Sequence, residues 1–157
     1  SNIFSKDRKY SVTFPYDGED PTLDDFFPNT IIINHAIKDP VEILEAIAWH
    51  ESRFIPTVKN KNCWGLCQVN VKIHADRIEK YGYSKEDMLE PYANIIVAAD
   101  FLAELYEDYS DENPIVLSLY SGAGWDAVQE YKEYGFLNSY VEDILSRSAN
   151  YERLHGK

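Results

Sequence analysis

From residue 39 onward the sequence is cut into helix-length pieces by its own start and stop signals, and that spacing predicts a mainly α chain. Asp39-Pro40 reads as an N-cap followed by Pro at the first helical position, where its missing N–H costs nothing. Ile43, Leu44, Ile47 and Ala48 then recur at helical spacing, and Pro56 ends the segment. Asn70 is placed to cap a second helix through Ile73 and Ile78, with Gly82 beyond its end. Ser84 to Asp87 resembles a shortened capping motif. Pro91 opens a longer helix with Ile95, Ala98, Ala99, Leu102, Leu105 and Tyr109 on one face. Asn113-Pro114 opens the next, with Val116, Leu119 and Tyr120 inward and Gly122 and Gly124 breaking it. Two further helices are predicted near residues 125–134 and 139–152. There is no internal repeat and no low-complexity segment.

The first part of the chain reads differently. Residues 10–14 alternate like a short strand, and Pro15, Asp17-Gly18, Pro21 and Pro28 punctuate loops. Residues 17–25 hold five acidic side chains and no basic one. Ile31, Ile32 and Ile33 form a short buried run of ambiguous type. The predicted organisation is an irregular N-terminal extension, 1–38, and one helical domain, 39–157.

A chain of 157 residues buries roughly two-thirds of its unfolded surface, so it folds without a staple or metal. Its net charge of −12 repels phosphate and excludes nucleic acid as a partner. Residues 76–112 carry 11 acidic and 3 basic side chains, which read as solvated helix faces. Cys63 and Cys67 form no Cys-x-x-Cys and lack the company of a zinc site. They read as free thiols, with a loop disulfide as the alternative, so the redox compartment stays open. No apolar stretch reaches the 18 residues of a membrane span. A signal segment or a longer parent protein is not legible in a chain that opens Ser-Asn.

Chemistry concentrates at Glu51. Leu44, Ile47, Ala48 and Glu51 stand at i, i+3, i+4 and i+7, which puts a carboxyl group on the apolar stripe at the helix's C-terminal end. Apolar neighbours and the negative end of the helix dipole both favour the protonated form. A carboxylic acid that keeps its proton near neutral pH suits a general acid. The competing reading is a stripe-edge Glu that reaches solvent or pairs with Arg53. His50 has no second His four residues on, so a His-Glu-x-x-His zinc site is excluded. His35, His74 and His155 are scattered and read as structural or surface residues. No Gly-x-Ser-x-Gly marks a nucleophile. No metal and no cofactor is implied.

The surrounding motifs narrow the choice. Glu51-Ser52-Arg53-Phe54-Ile55-Pro56 is followed by Trp64-Gly65-Leu66-Cys67-Gln68-Val69. Pro91-Tyr92-Ala93-Asn94-Ile95 precedes Phe101-Leu102, and Leu119-Tyr120-Ser121-Gly122-Ala123-Gly124 comes last. Together, in this order, they resemble the lytic transglycosylase (SLT-type) domain of the lysozyme-like superfamily. The resemblance covers roughly residues 40–135 and omits the first 35 or so. It departs from the family pattern at Cys67, where Met is usual, and at Ser121, where Asn is usual.

That resemblance implies a lysozyme-like helical domain with a groove for a glycan chain. It implies cleavage of the β-1,4 bond between N-acetylmuramic acid and N-acetylglucosamine in peptidoglycan, leaving 1,6-anhydro ends. Glu51 would act as general acid and then as base. Most glycosidases need two carboxylates, but here the muramic C6 hydroxyl, assisted by the N-acetyl carbonyl, replaces the second. By match to the family motifs, Ser52 positions the carboxylate or the sugar, and Gln68 bonds an N-acetyl or hydroxyl group through an amide that both donates and accepts. Tyr120 orients Glu51 or the N-acetyl group. Asn94 either caps its helix or touches substrate, and Trp64 either stacks on a sugar ring or belongs to the core. The 14% aromatic content, with 12 Tyr and 3 Trp, fits core mass or a ring-lined groove.

Two other readings remain. One is a goose-type-like lysozyme that hydrolyses the same bond with water. The other is an inactive glycan-binding or virion structural module. The expected setting is extracytoplasmic: periplasm, cell wall or virion. Walls carry anionic polymers, so the acidic surface points to delivery by a larger assembly, such as a phage tail or a secretion or conjugation machine.

Overall fold

A computed structural model describes residues 22–23, 41–109 and 112–156. The predicted strand at residues 10–14, the Asp39-Pro40 cap, the Ile run at 31–33 and nearly all of the 1–38 extension lie outside the described residues.

The described chain is mainly helical, as the start and stop signals predict. Helix α1 spans Val41–Ser52 and is buried on nearly every side through Ala48. An all-round apolar helix belongs in the middle of a domain, and α1 packs most extensively against the last helix, α6, Ser139–Leu154. Two carboxylates on α1, Glu42 and Glu45, are buried as well. His155 at the end of α6 lies 3.1 Å from Glu42 and 3.6 Å from Glu45. The amide of Leu23, itself fully buried, donates to Glu45 at 3.0 Å and ties that short N-terminal piece to the core.

Helix α1 stops at Ser52, four residues before Pro56. Arg53 and Phe54 take left-handed φ of 54° and 60°. Each such non-glycine residue costs ~1–2 kcal/mol, and the turn swings the fully buried Phe54 ring into the core, worth about 2–3 kcal/mol. The burial of Phe54 offsets much of that cost, and the helix ends before the proline is reached.

A three-stranded antiparallel sheet follows: β1 Lys59–Asn60, β2 Cys63–Trp64 and β3 Val69–Asn70. The sequence pattern did not predict it, because two-residue strands show no alternation. Asn70 caps no helix directly. Its side chain accepts the N–H groups of Lys72 and Ile73, making a turn that delays α2 to Ala75–Lys80. Ser84 and Asp87 do close a capping box, but on a short 3-10 helix, Lys85–Leu89. Helix α3, Pro91–Asp108, begins with its proline as expected. Helix α4, Asn113–Tyr120, is followed by Gly122 and Gly124, both at positive φ. Helices α5, Gly124–Tyr134, and α6 complete the domain. The core joins residues of α1, α3, α4, α6 and the loop after β2.

Candidate active site

The loop between β2 and β3 is where the site is built. Asn94, in the first turns of α3 and fully buried, holds it at two points and ties it to the 3-10 helix through a third. Its carbonyl oxygen accepts the Cys67 amide at 2.9 Å, and its amide nitrogen donates to the Trp64 carbonyl at 2.7 Å and the Met88 carbonyl at 2.8 Å. Gly65 makes this clamp possible. A Cβ there would stand 2.0 Å from the Met88 oxygen and 2.3 Å from the Asn94 amide, and φ is +83°. No other residue fits.

The clamped loop forms one wall of a cavity of about 340 Å³. Glu51 lines it from the end of α1, Gln68 from the loop, His74 from the approach to α2, Phe101 from α3, and Tyr120 and Ser121 from the end of α4. Glu51 is the only carboxylate on this wall among the described residues.

Burial raises the Glu51 carboxyl above the ordinary range; His50 and a hydrogen bond from Tyr140 pull it back only in part. The Tyr140 hydroxyl donates to Oε2 at 3.2 Å, which leaves the other oxygen to carry the proton. Burial pushes the Tyr140 phenol well above its usual value, with Glu51 adding to the effect, so it remains a neutral donor. Arg53 does not pair with Glu51; its guanidinium lies over the Trp49 ring at 4.9 Å.

The structure therefore brings Glu51, Gln68 and Tyr120 together and leaves Ser52, Asn94 and Trp64 outside the cavity. Ser52 is buried and donates to the Ala48 carbonyl at 3.0 Å, so it touches neither the carboxylate nor the cavity. Asn94 neither caps its helix nor lines the cavity; its side chain is engaged by Cys67, Trp64 and Met88 instead. Trp64 is half-buried, donates to the Lys61 carbonyl at 2.9 Å, and has the Lys59 ammonium 4.2 Å from its ring. Gln68, at φ 50°, spends its amide nitrogen on the carbonyls of Val58 and Gly65 at 3.2 and 3.0 Å. Both partners are acceptors, which fixes the amide orientation, so Gln68 offers a ligand its carbonyl oxygen rather than both functions. Tyr120 donates to the Cys67 carbonyl at 3.0 Å rather than to Glu51, and its ring stacks on Phe101 with centroids 5.4 Å apart.

The thiols are free, as read from the spacing. Cys67 is fully buried and stands behind the wall, while Cys63 lines the cavity. Among the described residues no group of three or more His, Cys, Asp or Glu side chains is gathered to hold a metal ion, and no helix is long and apolar enough to cross a membrane.

Sequence reasoning missed Tyr140. Nothing in the sequence separates it from the other tyrosines, and it lies beyond the motifs at 40–135. The Asn138 cap, which accepts the Val141 amide at 2.9 Å, starts α6 so that Tyr140 faces α1.

The fold is lysozyme-like and mainly helical, with its cavity acid at the end of the central helix. The chain belongs to the transglycosylase SLT domain family, whose profile matches residues 31–139. Among solved structures it is similar to the 70 kDa soluble lytic transglycosylase SLT70 from Escherichia coli, at 18% identity and a TM-score of 0.69. The match covers 86% of this chain but only 26% of that one, so the chain spans about a quarter of that protein's length. No curated protein matches the chain.

Proposed function

We propose that the chain is a peptidoglycan lytic transglycosylase, with Glu51 as its one catalytic carboxyl group. A single observation carries this reading: an acid whose proton burial holds more tightly than usual, with a neutral tyrosine on one of its oxygens, lines a cavity that has no second carboxylate among the described residues. Such a site suits chemistry in which the substrate provides the nucleophile.

In the first step Glu51 gives its proton to the glycosidic oxygen as the bond from C1 of N-acetylmuramic acid breaks, and the N-acetylglucosamine hydroxyl leaves. The carboxylate that remains keeps its Tyr140 hydrogen bond. In the second step it takes the proton of the muramic C6 hydroxyl as O6 bonds to C1. Glu51 is protonated again and the sugar ends as a 1,6-anhydro ring. The Gln68 carbonyl oxygen accepts an N–H or O–H of the sugar, and the neighbouring Phe101 and Tyr120 rings give it an apolar wall.

The setting follows from the substrate. The domain acts outside the cytoplasm, on glycan strands, and a larger assembly of phage or secretion type brings it there. The helical part, 39–157, carries the chemistry. Mass spectrometry of wall digested by the chain tests the reaction: anhydro ends support it, whereas reducing ends point to a water-using lysozyme. If purified wall is left uncut by wild type and by Glu51→Gln alike, the binding-module reading replaces both.

A further inference from the structure

We propose that His50, held by Asp143 and set edge-on against Tyr140, is a positioning residue whose charge tunes the proton on Glu51. This deepens the transglycosylase reading and rests on it for its catalytic meaning.

The arrangement is continuous from α6 to the acid. Arg147 Nε donates to both oxygens of Asp143, at 3.0 and 2.9 Å. Asp143 meets His50 Nδ1 at 2.6 Å, a separation short enough for a charge-assisted bond. Burial works against the Asp143 charge, yet the bonds from Arg147 and His50 outweigh it and hold the carboxyl below its usual range. The His50 ring lies edge-on to Tyr140, with centroids 4.6 Å apart and planes at 77°. Tyr140 in turn bonds Glu51. One residue thus braces the tyrosine that bonds the acid and, paired with Asp143, is the acid's neighbour in the chain.

The charged and titratable groups around His50, among the described residues, come from two helices. Glu51 lies on its own helix, and Arg53, in the turn just after that helix, is folded over Trp49. Tyr140, Asp143 and Arg147 face it from α6, Arg147 also lying over Trp49 at 5.5 Å.

The reaction explains why a basic ring at this place is useful. Glu51 must first give a proton and then take one. Burial makes the first step available and, unopposed, would leave the carboxylate too costly to form. His50 acts in the opposite sense to burial on this group. The balance lets one side chain serve as acid and base in the same cycle.

Carbon-detected NMR titration of the Glu51 carboxyl group, in wild type and two variants of the full chain, tests this without requiring turnover. In His50→Gln the Glu51 midpoint should rise by about one pH unit. In His50→Lys, which keeps a positive charge, it should stay near wild type. The alkaline limb of kcat should move with the midpoint while KM holds. An unmoved midpoint in the Gln variant, or a Lys variant that behaves like Gln, overturns the proposal. If wild type releases no anhydro ends, the transglycosylase reading fails while the titration result stands.

Discussion

The Tyr140 hydroxyl and the Glu51 carboxyl group, 89 residues apart in sequence, meet at 3.2 Å where helix α6 crosses the end of helix α1. The contact gives the acid one fixed oxygen and a donor that is present in both protonation states. A donor to a carboxylate favours the charged form, so this bond opposes burial without cancelling it.

Tyr140→Phe should therefore raise Glu51 further. The variant loses rate at its optimum, by about 10-fold for one charge-assisted hydrogen bond worth ~1.5 kcal/mol. It should also keep activity to a higher pH than wild type. A pH–rate profile checks this, and an alkaline limb that stays put or moves down would contradict it.

Glu51→Gln should abolish cleavage of purified wall, by about 10²–10⁴-fold or more, the usual worth of a general acid. The same variant tests the burial argument through stability. A carboxyl group raised on folding favours the folded state only while protonated; that contribution is full below the ordinary carboxylate range and is lost as pH rises through the folded value. Gln carries no such loss. Thermal melting should show little difference in acid and a more stable variant at neutral pH and above. A variant less stable than wild type at neutral pH would mean that the Glu51 charge is well accommodated.

Activity of wild type should fall as pH climbs through the raised Glu51 value, since the acid form starts the cycle. Measured anhydro-product release against pH checks the sign. A rate that keeps climbing into alkali is incompatible with Glu51 as the acid.

Asn94→Ala should destabilise the domain by about 3 kcal/mol or more. It strands one buried amide and removes the donors to two carbonyls, at ~1–3 kcal/mol for each group left unsatisfied. Because the clamped loop carries Gln68 into the cavity, substrate affinity should fall alongside stability. Denaturant unfolding and KM give the two readouts, and loss of less than about 1 kcal/mol would show the loop to be held by other means.

Cys63 lines the cavity and Cys67 does not. A thiol reagent should label Cys63 alone in the folded protein, slowly, because burial and then Glu51 push that thiol above its ordinary value. A bulky label there should block cleavage. Equal labelling of both cysteines under native conditions would place Cys67 nearer the surface than its burial allows.

The sequence by itself determined most helical segments and the place of the Glu51 carboxyl group. Proline and asparagine signals act within a turn or two of themselves, so Pro91 and Asn113-Pro114 start their helices where expected. Glu51 was legible because one helical period already placed it on the apolar stripe, and Gln68 and Tyr120 because the motifs around them resemble a known family. Only the tertiary structure decided what those side chains do. Asn70 and Ser52 satisfied local backbone groups, Asn94 turned out to be a clamp, and Trp64 went to the middle strand of the sheet. Two-residue strands carry no periodic signal, and their pairing depends on contacts that no local pattern encodes. Tyr140 and His50 gained their roles from the crossing of α1 and α6. That crossing is set by the packing of two whole helix faces, a quantity spread over many residues rather than written at any one.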